Sequence, residues 1–340
     1  MTWLRHWATL MGSLWRVVTA RFFYHLAAGN QSSQVTERRP GLVALGHRCC
    51  VFVHFDGRGV VRQHTRCYLA ALRQAGFGIV FVTNAAKLEP DSAKWLAEHC
   101  ALILIRRNRG YDFGAYRDGI AAVFQAQIKA DLLLLANDSV YGPLVGLGDI
   151  FERMDFSKAD VWSLTDSWQH RYHLQSFFVV FGPAALASAG FAEFWQSVRN
   201  VRSKWAAIHF YELWMTHRMQ SAGLRCAAIW DYFALLGTLQ EAHNAAQSDG
   251  PVTIEQGVRR LATERALACW RHRIALNPTS DLWLTLLQAG FPFIKRELLR
   301  LNPGRLPDLH MWHSVVPRRS PQMYQLIMDD LKMSMRKQAP

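Results

Sequence analysis

The chain has 340 residues, 50% of them apolar and 19% charged, with a formal net charge of +13. This much apolar material builds a full core in one large domain or two small ones, which excludes a disordered or fibrous chain. The positive balance favours an anionic partner, whether nucleic acid, acidic lipid or a phosphorylated ligand.

At the N-terminus, Trp3, Leu4, Trp7, Leu10, Met11, Leu14, Trp15, Val18 and Phe22 recur at helical spacing, with Arg5, Thr9, Ser13 and Arg16 opposite. A tryptophan stripe faced by arginines predicts a helix lying in a membrane surface; a terminal helix packed on the domain is the alternative. Arg16 and Arg21 interrupt what would be the apolar region of a cleaved signal peptide. No segment reaches the roughly 20 apolar residues of a membrane-spanning helix. Residues Asn30 to Pro40 are polar and read as a linker.

An alternating pattern follows. Apolar runs predict strands at Cys49–Phe55, Gly78–Val82, Ala101–Ile105 and Leu132–Ala136, and helical spacing predicts helices at Val61–Gln74, Pro90–His99 and Asp112–Ala126. Continuous apolar strands separated by helices imply a mostly parallel sheet covered on both faces. Val161–Thr165 and Ser176–Phe181 read as further strands, and Ala192–Val201 and Tyr211–Ser221 as helices, the latter closed by Gly223. Ala242–Gly250 reads as a polar surface loop, Asp281–Gln288 and Ile294–Leu301 as helices, and the tail from Arg318 as basic and polar. The expected divisions are residues 1–40 for the amphipathic helix and linker, 41–240 for an α/β domain, and 241–340 for a helical extension. The six cysteines form no CxxC pair and no zinc-ligand cluster, as buried thiols in a reducing compartment do.

Ligands of open α/β sheets bind at the carboxyl ends of the strands, and three such ends carry polar residues here. After the first, Asp56 stands in a glycine-containing turn, able to accept from a base or ribose or simply to close the turn. After the third come Asn108, Arg109, Gly110, Asp112, Arg117 and Asp118, where arginines and a helix N-terminus suit a diphosphate, a salt-bridged loop being the other reading. After the fourth come Asn137, Asp138 and Ser139; Asp138 is placed to hold Mg2+ or Mn2+, or the three residues form an Asx turn. His173 and Gln175 point the same way on an extended segment and are candidates for binding acceptor or sugar hydroxyls. Trp162 and Trp168 are candidates for stacking on sugar rings, while Trp195 suits the core.

The order of these blocks resembles the donor-binding half of glycosyltransferases with the A-type, Rossmann-like fold. More narrowly, Asn108 to Gly119, Asn137 to Pro143, Asp160 to Thr165, His173 to Phe178, Asn277 to Thr279 and Phe291 to Leu299 resemble the rhamnan synthesis protein F family. The resemblance implies a glycosyltransferase moving a sugar, with rhamnose suggested by the family name, from a nucleotide-sugar donor to a lipid-linked or polysaccharide acceptor at the cell surface. It implies that Glu212, heading a helix that closes on Gly223, is the base of an inverting reaction, with Asp166 as the second candidate. Asn-Asp-Ser at 137–139 departs from the Asp-x-Asp of the fold, which puts metal dependence in question. A cytoplasmic protein on the inner-membrane face is expected, and no nucleic-acid module is visible. The rival readings are a sugar-phosphate transferase and a non-catalytic organiser of polysaccharide assembly.

Overall fold

The computed structural model describes residues 29–245 and 253–336. The amphipathic helix expected before residue 29 lies outside the described residues.

The architecture is α/β, a mostly parallel sheet between helical layers. Nine strands form the main sheet: β1 (Val35–Pro40), β2 (Arg48–His54), β3 (Gly78–Thr83), β4 (Leu102–Arg106), β5 (Leu132–Asn137), β7 (Val161–Ser167), β8 (His173–Leu174), β9 (Phe178–Phe181) and β10 (Cys226–Trp230). Their order is β1-β4-β3-β2-β5-β9-β7-β10, with β8 paired to the end of β7. The β4-β3-β2-β5 block is parallel, β9 runs against both β5 and β7, and β10 is parallel to β7. The carboxyl ends of β2, β5, β7 and β10 therefore share one edge. A two-stranded ribbon, β6 (Val140–Tyr141) with β11 (Ile294–Lys295), lies beyond β5.

Strand alternation divides the core into two layers. Cys50 and Phe52 join one, with Tyr68, Leu72, Leu267, Leu286 and Ile327. Cys49, Val51 and Val53 join the other, with Phe113, Tyr116, Trp195 and Met219. Burial on both faces is why these strands are apolar without interruption. The helix Tyr111–Gln125 packs so closely on β2 and β3 that a Cβ on Gly119 would stand 2.3 Å from Val51 Cγ1 and 3.0 Å from Val82 Cγ2. Gly119→Ala is therefore expected to lower the thermal midpoint: overpacking of ~1–3 kcal/mol outweighs the ~1 kcal/mol of helix propensity gained. A raised midpoint in a thermal melt would show that the helix can lift off the sheet at little cost.

Several expectations are corrected. Val35–Pro40, read as linker, is the edge strand β1, antiparallel to β4; Glu37, Arg38 and Arg39 give it the charged, exposed character that protects sheet edges. The helix expected at Ala192–Val201 spans Ala189–Ser197, started by the Ser188 cap on Phe191 N. Asp281–Gln288 divides into Pro278–Asp281 and Trp283–Gln288, and Ile294–Leu301 begins as β11 before the helix Arg296–Leu301. The expected loop from Ala242 begins within the helix Tyr232–Ala245, and residues 246–252 lie outside the described residues. The polar tail is the helix Pro321–Arg336, which buries Met323, Ile327 and Asp330. The strand β10 and the helix Ile254–Arg271 add to the expected elements.

Candidate active site

Helix Tyr111–Gln125 starts from Gly110, whose φ of +82° is left-handed; a Cβ there would meet Asn200 Oδ1 at 2.7 Å. This start delivers Asp112 in the first turn beside the end of β5, where Asn137 Nδ2 donates to Asp112 Oδ2 at 3.1 Å. Burial, then the charges of Asp138 and Glu212, push the Asp112 carboxyl up to about 6. A carboxyl perturbed in this way, with two further carboxylates within reach of its charge, marks a candidate functional centre.

Glu212 arrives from the opposite side. It ends a π-helical turn, Ile208–Glu212, and leads the helix Leu213–Ser221. Such turns occur often at functional positions because they change the facing of the side chains that follow. Ser176 N at 3.2 Å and Ser176 Oγ at 2.7 Å both donate to Glu212 Oε1, which fixes the position of the carboxylate.

The end of β11 and the start of the helix Arg296–Leu301 supply the positive charge. Arg296 Nη1 donates to Asp138 O at 2.8 Å and to Asp138 Oδ2 at 3.0 Å. Lys295 sits 4.5 Å over the Phe177 ring. Burial pulls its ammonium below the ordinary value, and the charges of Glu212 and Asp112 oppose that fall. The ammonium forms no ion pair within 4.0 Å among the described residues. Beneath it, Asp330 accepts from Tyr141 Oη at 2.6 Å and Arg300 Nη2 at 2.6 Å and pairs with Arg62 Nε at 3.1 Å, which locks the C-terminal helix under Arg296. Arg62 also lies 3.6 Å from Asp56.

The structure thus brings together Asp112, Asn137, Asp138, Ser139 and Glu212, with Asp56 at the neighbouring strand end. Ser139 Oγ donates to Asn137 Oδ1 at 2.6 Å, so the Asx turn and the polar cluster are the same feature. His173 feels the charge of Glu212, but its Nδ1 is 2.9 Å from Arg171 O, and burial holds its pKa low. Gln175 is bonded internally to Thr165, Asn277 and Thr279. Asp166 accepts from Tyr232 N at 2.7 Å at the start of a helix, and burial pushes its carboxyl up to about 6. Asn108 and Arg109 are exposed. Arg117 and Asp118 are turned inward: Arg117 Nη1 donates to Val198 O at 2.7 Å, and Asp118 is paired with the fully buried Arg106 at 3.0 Å. Trp195 and Trp162 are buried, and Trp168 is exposed.

Lys295 and Arg296 were not among the expected site residues. Two adjacent cations inside the apolar run Phe291 to Leu299 are the signal that points to them. For a cation at Asp138, the side chains present do not fit: that carboxylate is held by Arg296, and among the described residues no three His, Cys, Asp or Glu side chains converge as metal ligands do.

The family described as rhamnan synthesis protein F matches residues 79–254. The chain is 30% identical over 255 residues to the virulence protein VirA of Vibrio anguillarum, covering 73% of this chain and 77% of that protein. It is 29% identical over 215 residues to the uncharacterized protein y4gN of Sinorhizobium fredii, covering 62% of this chain and 55%, about half, of that relative. Among solved structures, S. aureus TarS residues 1–349 align over 81% of this chain and 92% of that one, at 11% identity and a TM-score of 0.31. A score this low leaves fold and chemistry to be argued from the chain itself. With more than half of its length matched and a relative at 30% identity across most of both proteins, this chain belongs to the rhamnan synthesis protein F family.

Proposed function

We propose that this protein is a glycosyltransferase that moves a sugar from a nucleotide-diphosphate donor to a hydroxyl of a growing cell-surface polysaccharide, lipid-linked or free. Rhamnose is the first donor to test, on the family description. The observation that carries this reading is the meeting of Asp112 with Asn137 and of Arg296 with Asp138 at the end of β5, with Glu212 and Lys295 within reach of the Asp112 charge. In the proposed reaction the acceptor oxygen attacks the anomeric carbon as the bond to the diphosphate breaks, and Glu212 takes the hydroxyl proton. Attack from the face opposite the diphosphate inverts the centre. Asn137 and Asp138 orient the donor, and Lys295 and Arg296 meet the charge developing on the leaving diphosphate. The membrane-surface placement drawn from residues 3–22 belongs to this proposal; among the described residues no helix is long and apolar enough to cross a membrane.

The test is transfer from a panel of nucleotide sugars to a lipid-linked or polysaccharide acceptor, with the released nucleotide identified. Release of a nucleoside diphosphate supports the reading, and release of a monophosphate replaces it with phosphosugar transfer. Because side-chain cations are assigned the role of a metal, turnover is expected to survive a chelator. Lys295→Met is expected to lower turnover by roughly 10²–10³-fold, as loss of one donor to developing charge does. Chelator-sensitive turnover restored by Mn2+ would return the role to a cation.

A further inference from the structure

We propose that an exposed aromatic band beside Glu212 is the subsite that receives the sugar rings of the acceptor chain; this rests on the transferase reading above. The band begins in the segment joining β7 to β8. Trp168 is 42% exposed and Phe233 55% exposed, although both are large aromatics at the edge of a well-packed domain. Their rings lie 5.4 Å apart, and Trp168 lies 5.2 Å from Tyr172. Trp168 follows the last residue of β7 and Phe233 follows β10 by three, so the carboxyl edge that carries Asp138 also carries them.

The band continues toward the reacting centre. His170 stands 5.3 Å from His209, and His209 stacks on Trp205 at 4.1 Å with an interplanar angle of 19°. His209 belongs to the π-helical turn that ends in Glu212. His170 is held at a φ of +65°, a left-handed conformation that a non-glycine residue keeps only where its surroundings impose it. The segment is fixed by Gln169 N on Ser167 Oγ at 3.2 Å and by the Arg171 guanidinium 4.0 Å over the Trp214 ring.

The chemistry suits a saccharide: Trp168 and Tyr172 flank Gln169, His170 and Arg171, so aromatic faces and hydrogen-bonding groups stand side by side. An aromatic face is electron-rich and attracts the electropositive C–H face of a pyranose, while polar neighbours meet its hydroxyls. Rings spread from Phe233 to His209 address successive sugars of a chain whose terminal hydroxyl reaches Glu212.

The experiment compares Trp168→Ala, Phe233→Ala and the double variant with the full unaltered chain. Two readouts are used: acceptor KM against acceptor length, and direct calorimetric binding of bacterial-surface oligosaccharides, rhamno-oligosaccharides included. The expected result is a rise in KM of roughly two- to tenfold per ring removed, growing with acceptor length. Donor hydrolysis without acceptor should be unchanged, and Trp168→Phe should retain most of the affinity. Equal KM for long and short acceptors across all variants would overturn the proposal. So would failure of the unaltered chain to bind any of the oligosaccharides. If the unaltered chain transfers no sugar yet binds oligosaccharides and the double variant does not, the transferase reading fails and the saccharide subsite stands.

Discussion

Glu212→Gln is expected to cut sugar transfer by roughly 10²–10⁴-fold while leaving donor affinity nearly unchanged, because a general base makes its contribution in the transition state. The substitution suits the geometry: Ser176 N and Ser176 Oγ can still donate to the amide oxygen, so the side chain keeps its place and loses only the capacity to take a proton. A carboxylate that only favours the start of the helix Leu213–Ser221 would predict a loss of ~0.3–1 kcal/mol of stability and almost no rate. Asp166→Asn is the control. Asp166 is bonded to Tyr232 N at the start of a helix, so its loss should act on stability more than on the chemical step. Single-turnover kinetics with equilibrium donor binding separates the cases. A Glu212 variant with near-normal turnover beside an inactive Asp166 variant would move the base to Asp166.

Asp118→Ala is expected to destabilise the fold by ~3–5 kcal/mol, the usual cost of leaving one member of a buried ion pair without its partner. Arg106 is fully buried, and its Nε donates to Asp118 Oδ2 at 3.0 Å. The same carboxylate accepts from Gln34 N at 3.1 Å and from Arg117 Nη2 at 3.0 Å, tying the segment before β1 to the helix Tyr111–Gln125. Urea denaturation of Asp118→Ala measures the loss, and Arg106→Met in the same chain should recover part of it by removing the stranded charge. An unaltered denaturation midpoint with weakened donor binding would instead return Asp118 to the ligand role expected from its position in the sequence.

Asp118 illustrates where reading a sequence stops. A run with Arg109, Arg117 and Asp118 after an apolar strand suits a phosphate site or an internal salt-bridged knot equally well, since both need the same groups at the same spacing. Only packing decides. The helix is drawn onto the sheet at Gly119, which turns Asp118 inward to Arg106 and leaves Asp112, about 1.7 turns earlier, at the strand ends. The strands β2, β3, β4 and β5 were legible because burial on both faces demands continuous apolar residues, as in Leu132 to Ala136. The edge strand β1 was not, because an exposed edge carries the charges that loops also carry.

The same division holds for the site. Asn137, Asp138 and Glu212, which the structure brings together, are marked along the chain because each sits at the end of a strand or the head of a helix. Lys295 and Arg296 were not, since Arg296 reaches Asp138 across 158 residues of sequence. No local pattern encodes that meeting. It follows from the pairing of β11 with β6 and from Asp330 holding Arg296, Arg300 and Arg62 beneath it. Local sequence sets which segments are apolar and where they end. Which distant charges face each other is decided when those segments pack, because a buried carboxylate such as Asp330 is costly unless cations are brought to it.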